Sequence, residues 1–207
     1  MSSPLLRFRR RPRPVPGRQC ELCAEPAGPG HGHVIDLESR TIKCACRGCA
    51  LLFTRPGAGG GRFRTVPGRY RHLPSFPAGE RLWEEVAIPV RMAFFFTNSR
   101  LGRTTAFYPG PAGAAESLLP IEEGDHLLAG ATAVLGSPEP DVEAVLVNRA
   151  GEGFEAFLVP IDACYELVGL AKLHWRGFDG GAEAWQAIDG FFDKLRQRSR
   201  SGEADDG

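Results

Sequence analysis

Cys20-Glu21-Leu22-Cys23 and Cys44-Ala45-Cys46-Arg47-Gly48-Cys49 hold five of the six cysteines in the chain. Cys20/Cys23 and Cys46/Cys49 make two C-x-x-C pairs with 22 residues between them, an arrangement in which each pair can turn two thiolates toward one ion. Four thiolates complete a tetrahedron and leave no coordination position for a substrate, so the chemistry indicated is structural metal binding. Cys44 is a spare thiol that could replace Cys46 as a ligand, and His31 and His33 are further donors close by in sequence.

Zinc is the metal expected. A rubredoxin-type iron centre is the alternative, because it uses two C-x-x-C knuckles and the same four sulfurs. Its knuckles usually have glycine after the second cysteine, where this chain has Ala24 and Ala50, and aromatic residues are sparse between Cys20 and Phe53. An iron–sulfur cluster calls for other cysteine spacings.

The elements that must position these thiols can be read around them. The alternation from His33 to Lys43 about Glu38-Ser39-Arg40 predicts a hairpin that delivers Cys44 and Cys46 beside the first pair. Residues 1–18 are rich in Arg and Pro and are expected to be a disordered arm. Residues 19–55 form the metal-binding module, 56–79 a Gly/Pro-rich linker, 80–198 a second domain, and 199–207 a polar, disordered tail. In the second domain, strands are predicted at Val86–Thr97, Arg103–Tyr108, Val142–Asn148 and Phe154–Val159. The segment Ile121–Leu128 could add a short helix. Asp162 is expected to cap a helix running to His174. A second helix over 182–198 is indicated by Trp185, Ile188, Phe192 and Leu195 at helical spacing. Strands first and helices last predict an α+β fold: a zinc-ribbon or rubredoxin-like module, then an antiparallel sheet covered by C-terminal helices.

Composition narrows the functional classes. Lys+Arg and Asp+Glu number 25 each, so net charge supplies no pull toward a polyanion, and a nucleic-acid partner is not expected apart from what the Arg-rich arm could contribute. No apolar run approaches the roughly eighteen residues of a membrane helix. The Arg-rich start lacks the apolar segment of an export signal. A cytoplasmic location follows, where clustered thiols are metal ligands rather than disulfides.

No catalytic group stands out. Cys164 is expected to be a buried helix thiol, His72, His126 and His174 are isolated, and Glu84-Glu85 and Glu122-Glu123 point apart. The glycines at 57 and 59–61 lack the Lys-Ser/Thr ending of a phosphate loop. Two segments, Phe107–Gly113 and Trp175–Gly181, combine aromatics with rigid or glycine-rich backbone, which makes Tyr108, Trp175 and Arg176 candidate partner-binding residues.

Several motifs together resemble a family. They are Cys20-x-x-Cys23, His33-Val34-Ile35-Asp36-Leu37, Cys44-Ala45-Cys46-Arg47-x-Cys49-x-Leu51-Leu52-Phe53, Val159-Pro160-Ile161-Asp162-x-Cys164-Tyr165 and His174-Trp175-Arg176-Gly177. They look like an uncharacterised bacterial domain of unknown function whose genes tend to lie in nickel–iron hydrogenase clusters. The resemblance implies a non-enzymatic accessory role in hydrogenase assembly or maturation, with a hydrogenase subunit or maturation factor as partner. It implies no catalytic residue. The alternatives are a rubredoxin-like electron-transfer protein and a zinc-ribbon regulator that contacts nucleic acid.

Overall fold

A computed structural model describes residues 19–117, 124–177 and 179–202, so the expectations for 1–18, 121–123 and 203–207 lie outside the described residues. The chain divides into two compact units after Thr65.

In the first unit, strands β1 (Gly32–Asp36) and β2 (Thr41–Ala45) form the expected hairpin, followed by the short helix α1 (Arg47–Leu52) and strand β3 (Phe63–Thr65). The three strands make one antiparallel sheet in the order β2-β1-β3. The turn is set by Asp36, whose carboxylate accepts the N–H groups of Glu38 and Ser39. That same carboxylate is buried and takes a forked hydrogen bond from the Arg62 guanidinium, 2.7 Å away at its nearest. Arg62 and the two amides outweigh burial and hold the Asp36 carboxyl well below the usual carboxylate range.

The stretch 56–79 is therefore not an unstructured linker. Its glycines form a 3-10 turn at Ala58–Gly61, which returns the chain so that Phe63 packs its ring on Phe53, with centroids 5.1 Å apart. The later part, Arg71–Leu73, is a strand of the second unit. A three-residue strand is too short to show a period of two in sequence, and both of these strands were hidden for that reason.

The second unit contains β4 (Arg71–Leu73), α2 (Gly79–Val86), β5 (Met92–Asn98), β6 (Arg103–Gly110), β7 (Gly113–Glu116), α3 (Gly124–Leu135), β8 (Glu143–Ala150), β9 (Gly153–Pro160), α4 (Ile161–His174) and α5 (Gly181–Gly202). Its six strands pair antiparallel in the order β4-β9-β8-β5-β6-β7. Alternate residues divide the sheet into two buried faces. Ala93, Phe95, Val145, Val147, Ala156 and Leu158 pack with Leu82, Trp83 and Val86 of α2 and with Leu128, Ala131 and Leu135 of α3. The other face meets the C-terminal helices, with Phe157 of β9 against Phe192 of α5 at 5.9 Å between centroids.

Helices thus cover both faces, where the sequence predicts only one covered face. Val86 ends α2 instead of opening a strand, because Leu82, Trp83 and Val86 share one helix side and are buried together. At α4, Pro160 occupies the cap position without a side-chain cap bond. Asp162 lies in the first turn, where its charge complements the exposed amides of the helix start. The helix predicted to end near 198 continues to Gly202, with the buried Ser199 hydroxyl donating to the Leu195 carbonyl at 2.9 Å.

The face under α5 contains one buried carboxylate, Glu155. Arg196 grips it with two bonds of 2.6 and 3.0 Å, the Asn148 amide donates at 2.8 Å, and His72 Nε2 lies 3.0 Å away. Burial pushes the Glu155 pKa up, but Arg196, Asn148 and His72 outweigh it and bring the group below its ordinary value. A depressed folded pKa means that this contribution to stability is present above the ordinary carboxylate pKa and lost as pH falls through the folded value. Glu155→Gln should cost about 2–4 kcal/mol at neutral pH, by replacing the buried partner of Arg196 with a neutral amide, although Arg196 keeps Asp193 at 2.6 Å. Denaturant titrations of the variant should also show a shallower loss of stability on acidification than the parent.

Gly79 marks the closest approach in this unit. A Cβ there would stand 2.3 Å from Cγ of Phe154, although the helical backbone itself accepts any residue. Helix propensity alone predicts a gain of about 1 kcal/mol for Gly79→Ala, whereas the steric clash predicts a loss of about 1–3 kcal/mol. Thermal unfolding should show the loss.

Candidate metal centre

The first cysteine pair sits in a tight knuckle. The Ala24 N–H donates to the Cys20 carbonyl at 2.8 Å and the Cys20 N–H to the Glu25 carbonyl at 2.8 Å. Ala24 follows Cys23 in the left-handed region, at φ 65°. That is where glycine would be expected; alanine bears a cost of about 1 kcal/mol there, and the hydrogen bonds of the knuckle offset it.

The second pair is held differently. β2 ends at Ala45, and Cys46 takes the cap position of α1, its sulfur accepting the Cys49 N–H at 3.4 Å. Cys49 follows in the first turn of that helix. The Sγ atoms of Cys20, Cys23, Cys46 and Cys49 all lie within 4.8 Å of one another, with those of Cys23 and Cys46 3.7 Å apart. Such a group of sulfurs could bind a metal ion. Beneath it, Cys20 is buried with Val34, Ala45 and Ala50, and Leu22, Phe53 and Phe63 pack around them.

Within the group the thiols are shifted in opposite directions. Burial raises the Cys20 pKa, but the amides of Cys46, Leu22 and Cys23 together outweigh it and bring the thiol down to about 6. Cys49 is pushed up to about 12, first by the Cys23 thiol, then by burial and by the remaining cysteines. The Glu25 amide draws Cys23 down, yet its neighbours leave it raised on balance. One thiolate is accommodated readily, and four need positive charge at their centre.

Cys44 stands apart. Ala45 faces the cluster, so alternation along β2 turns Cys44 to the opposite face of the sheet, and it is not among the grouped sulfurs. Its backbone is nonetheless tied to the knuckle: the Glu21 N–H donates to the Cys44 carbonyl at 2.8 Å, and the Cys44 N–H to the Glu21 carboxylate at 2.5 Å. Glu21 was not singled out in sequence, where it reads only as a spacer inside C-x-x-C.

The other sequence candidates do not form a common site. Tyr108 packs on the sheet face that carries α2 and α3. Trp175 follows α4 on the other side of the sheet, with Trp185 at 5.5 Å between ring centroids and Gly180 beneath its ring. The Arg176 guanidinium donates to the carbonyls of Leu173 and Trp175. These contacts close the loop between the last two helices. Cys164 is buried in α4, and burial, reinforced by the charge of Asp162, keeps its thiol far above the usual range; it is a packing group.

Serine at Cys20, Cys23, Cys46 or Cys49 should release the bound metal and unfold the first unit, because binding and folding are coupled in a module of this size. Cys44→Ser should retain that ion. Metal must displace protons from the raised thiols, so affinity should strengthen as pH rises above about 6. Metal analysis of each variant, together with chelator competition across pH, measures both effects.

No curated protein and no solved structure matches the chain. A sequence profile matches residues 19–199, a span that includes both the cysteine cluster and the six-stranded sheet. The chain therefore belongs to this family, described as a family of unknown function (DUF5947).

Proposed function

We propose that the protein is a zinc-stabilised accessory factor that acts by binding another protein, and that its partner is a nickel–iron hydrogenase subunit or maturation factor. The observation that carries this reading is the set of four sulfurs within 4.8 Å. A tetrahedron of thiolates stabilises a small fold and offers no vacant position for chemistry. Zinc is favoured over iron because alanine rather than glycine follows the second cysteine of each pair, at Ala24 and Ala50.

A protein partner is supported by α1. Leu51 and Leu52 are 62% and 67% exposed and lie just after Cys49, so the ion would order a helix that presents adjacent leucines to solvent. Burying both side chains against a partner is worth about 3–5 kcal/mol before the costs of association. The hydrogenase assignment rests on the resemblance of the motifs and on nothing in the geometry.

Protein purified without added metal should contain zinc, be colourless and show no reversible one-electron couple. Stoichiometric iron with the red colour of a ferric four-thiolate centre would overturn the structural reading. Leu51→Asp with Leu52→Asp should abolish co-purification of hydrogenase proteins while leaving zinc content and unfolding temperature unchanged. If the parent protein captures no hydrogenase component, the partner assignment fails while the metal assignment stands.

A further inference from the structure

The chain as a whole is neutral, but the boundary after Thr65 divides its charge. Residues 1–65 carry twelve Lys and Arg against four Asp and Glu, a net of +8, and residues 66–207 carry thirteen against twenty-one, a net of −8. Four thiolates around a divalent ion would contribute −2 and leave the first unit at about +6. Exposed charges are screened over about 8 Å at physiological ionic strength. A molecule that approaches the first unit therefore meets the charge of that unit rather than the neutral sum.

The positive charge reaches α1. Residues 39–65 hold six Lys and Arg and no Asp or Glu. Arg62 is committed to Asp36 and Glu38, whereas Arg47 and Arg55 are exposed. Arg47 opens α1, and Leu51 lies four residues on, on the same side of the helix. Leu52 follows, and Arg55 comes three residues later. The exposed leucines of α1 are thus bracketed along the chain by two guanidinium groups.

We propose, on the reading of α1 as the partner surface, that Arg47, Leu51, Leu52 and Arg55 take an acidic amphipathic segment of another protein, with apolar side chains flanked by carboxylates. Guanidinium groups pair with carboxylates through two parallel hydrogen bonds, and the leucines between them require an apolar counterpart. Phosphate polyanions meet only half of this demand. A duplex backbone offers charge and no apolar surface. Two leucines, worth about 3–5 kcal/mol, fall short of the single acyl chain that by itself holds a protein to a bilayer only marginally.

The test uses the full chain with its metal as purified and follows the anisotropy of labelled poly(Glu,Tyr), a copolymer that combines carboxylates with apolar rings. Binding should be tighter than to poly-L-glutamate and should weaken about tenfold or more between about 0.05 and 0.5 M salt. Arg47→Glu with Arg55→Glu should weaken it about tenfold or more; glutamate suits the start of a helix, so this variant keeps α1. Leu51→Ser with Leu52→Ser should remove the preference over poly-L-glutamate. Arg81→Glu with Arg100→Glu makes the same change of charge at exposed positions of the second unit, and it should alter binding by no more than about twofold.

An equal loss in that control pair would reduce the effect to net charge and overturn the proposal. So would salt-insensitive binding, no preference for the copolymer with rings, or tighter binding to duplex DNA or to phosphatidylcholine–phosphatidylserine vesicles at the same ionic strength. Hydrogenase components that still co-purify with the Arg47→Glu, Arg55→Glu chain would exclude an acidic partner segment while leaving the partner reading in place. If a variant loses its metal, the salt dependence and copolymer preference of the parent protein decide.

Discussion

Like charge at short range is the constraint on which the first unit depends. Four sulfurs within 4.8 Å cannot all be thiolates without a cation, and the opposite shifts of Cys20 and Cys49 express that conflict. A metal ion bound there would turn the repulsion into attachment and tie the knuckle, the end of β2 and the start of α1 to one point. The apolar cluster beneath is small, with Cys20, Val34, Ala45 and Ala50 as its buried members. Hydrophobic burial on that scale is small for a unit of this length, so binding of a metal at the four sulfurs would be coupled to folding.

The second unit needs no such device. Its sheet is buried on both faces, and the buried charges are matched in place. Glu155 is held by Arg196, and Glu143 by Arg69 with bonds of 3.0 and 2.5 Å. Each carboxylate sits on a sheet strand and each arginine on another segment, so the pairs lock elements whose apolar contacts alone would permit sliding. One unit is thus built around four sulfurs that could bind a metal ion and the other around packing, and the family profile spans them both.

What could be read in advance follows the range of the interaction. The grouping of the four cysteines was legible because C-x-x-C is a local signal, and the hairpin because Glu38-Ser39-Arg40 interrupts an alternating run. The exclusion of Cys44 was not, since it depends on β2 ending at Ala45 rather than one residue later. The helical identity of Val86 was hidden because the apolar residues after it continue the run toward β5. The intramolecular neighbours of Trp175 and Tyr108 were not legible, because Gly180, Trp185 and the core beneath Tyr108 are brought to them only by the tertiary fold. Strands of three residues such as β3 and β4 carry no periodic signal at all.

The two hydrogen bonds between Glu21 and Cys44 have a consequence for self-association. β2 lies at the border of its sheet, and a border strand with open N–H and C=O groups is a template on which another chain can add. Glu21 occupies both groups of Cys44 with one backbone and one side-chain bond, and so plugs the border where a foreign strand would dock. That plug is mounted on the knuckle, and an ion bound at the four sulfurs would hold the knuckle in shape. Protein stripped of metal would thus expose a strand edge as well as lose a fold, so starvation for metal would express itself as aggregation and clearance of the protein as well as inactivity.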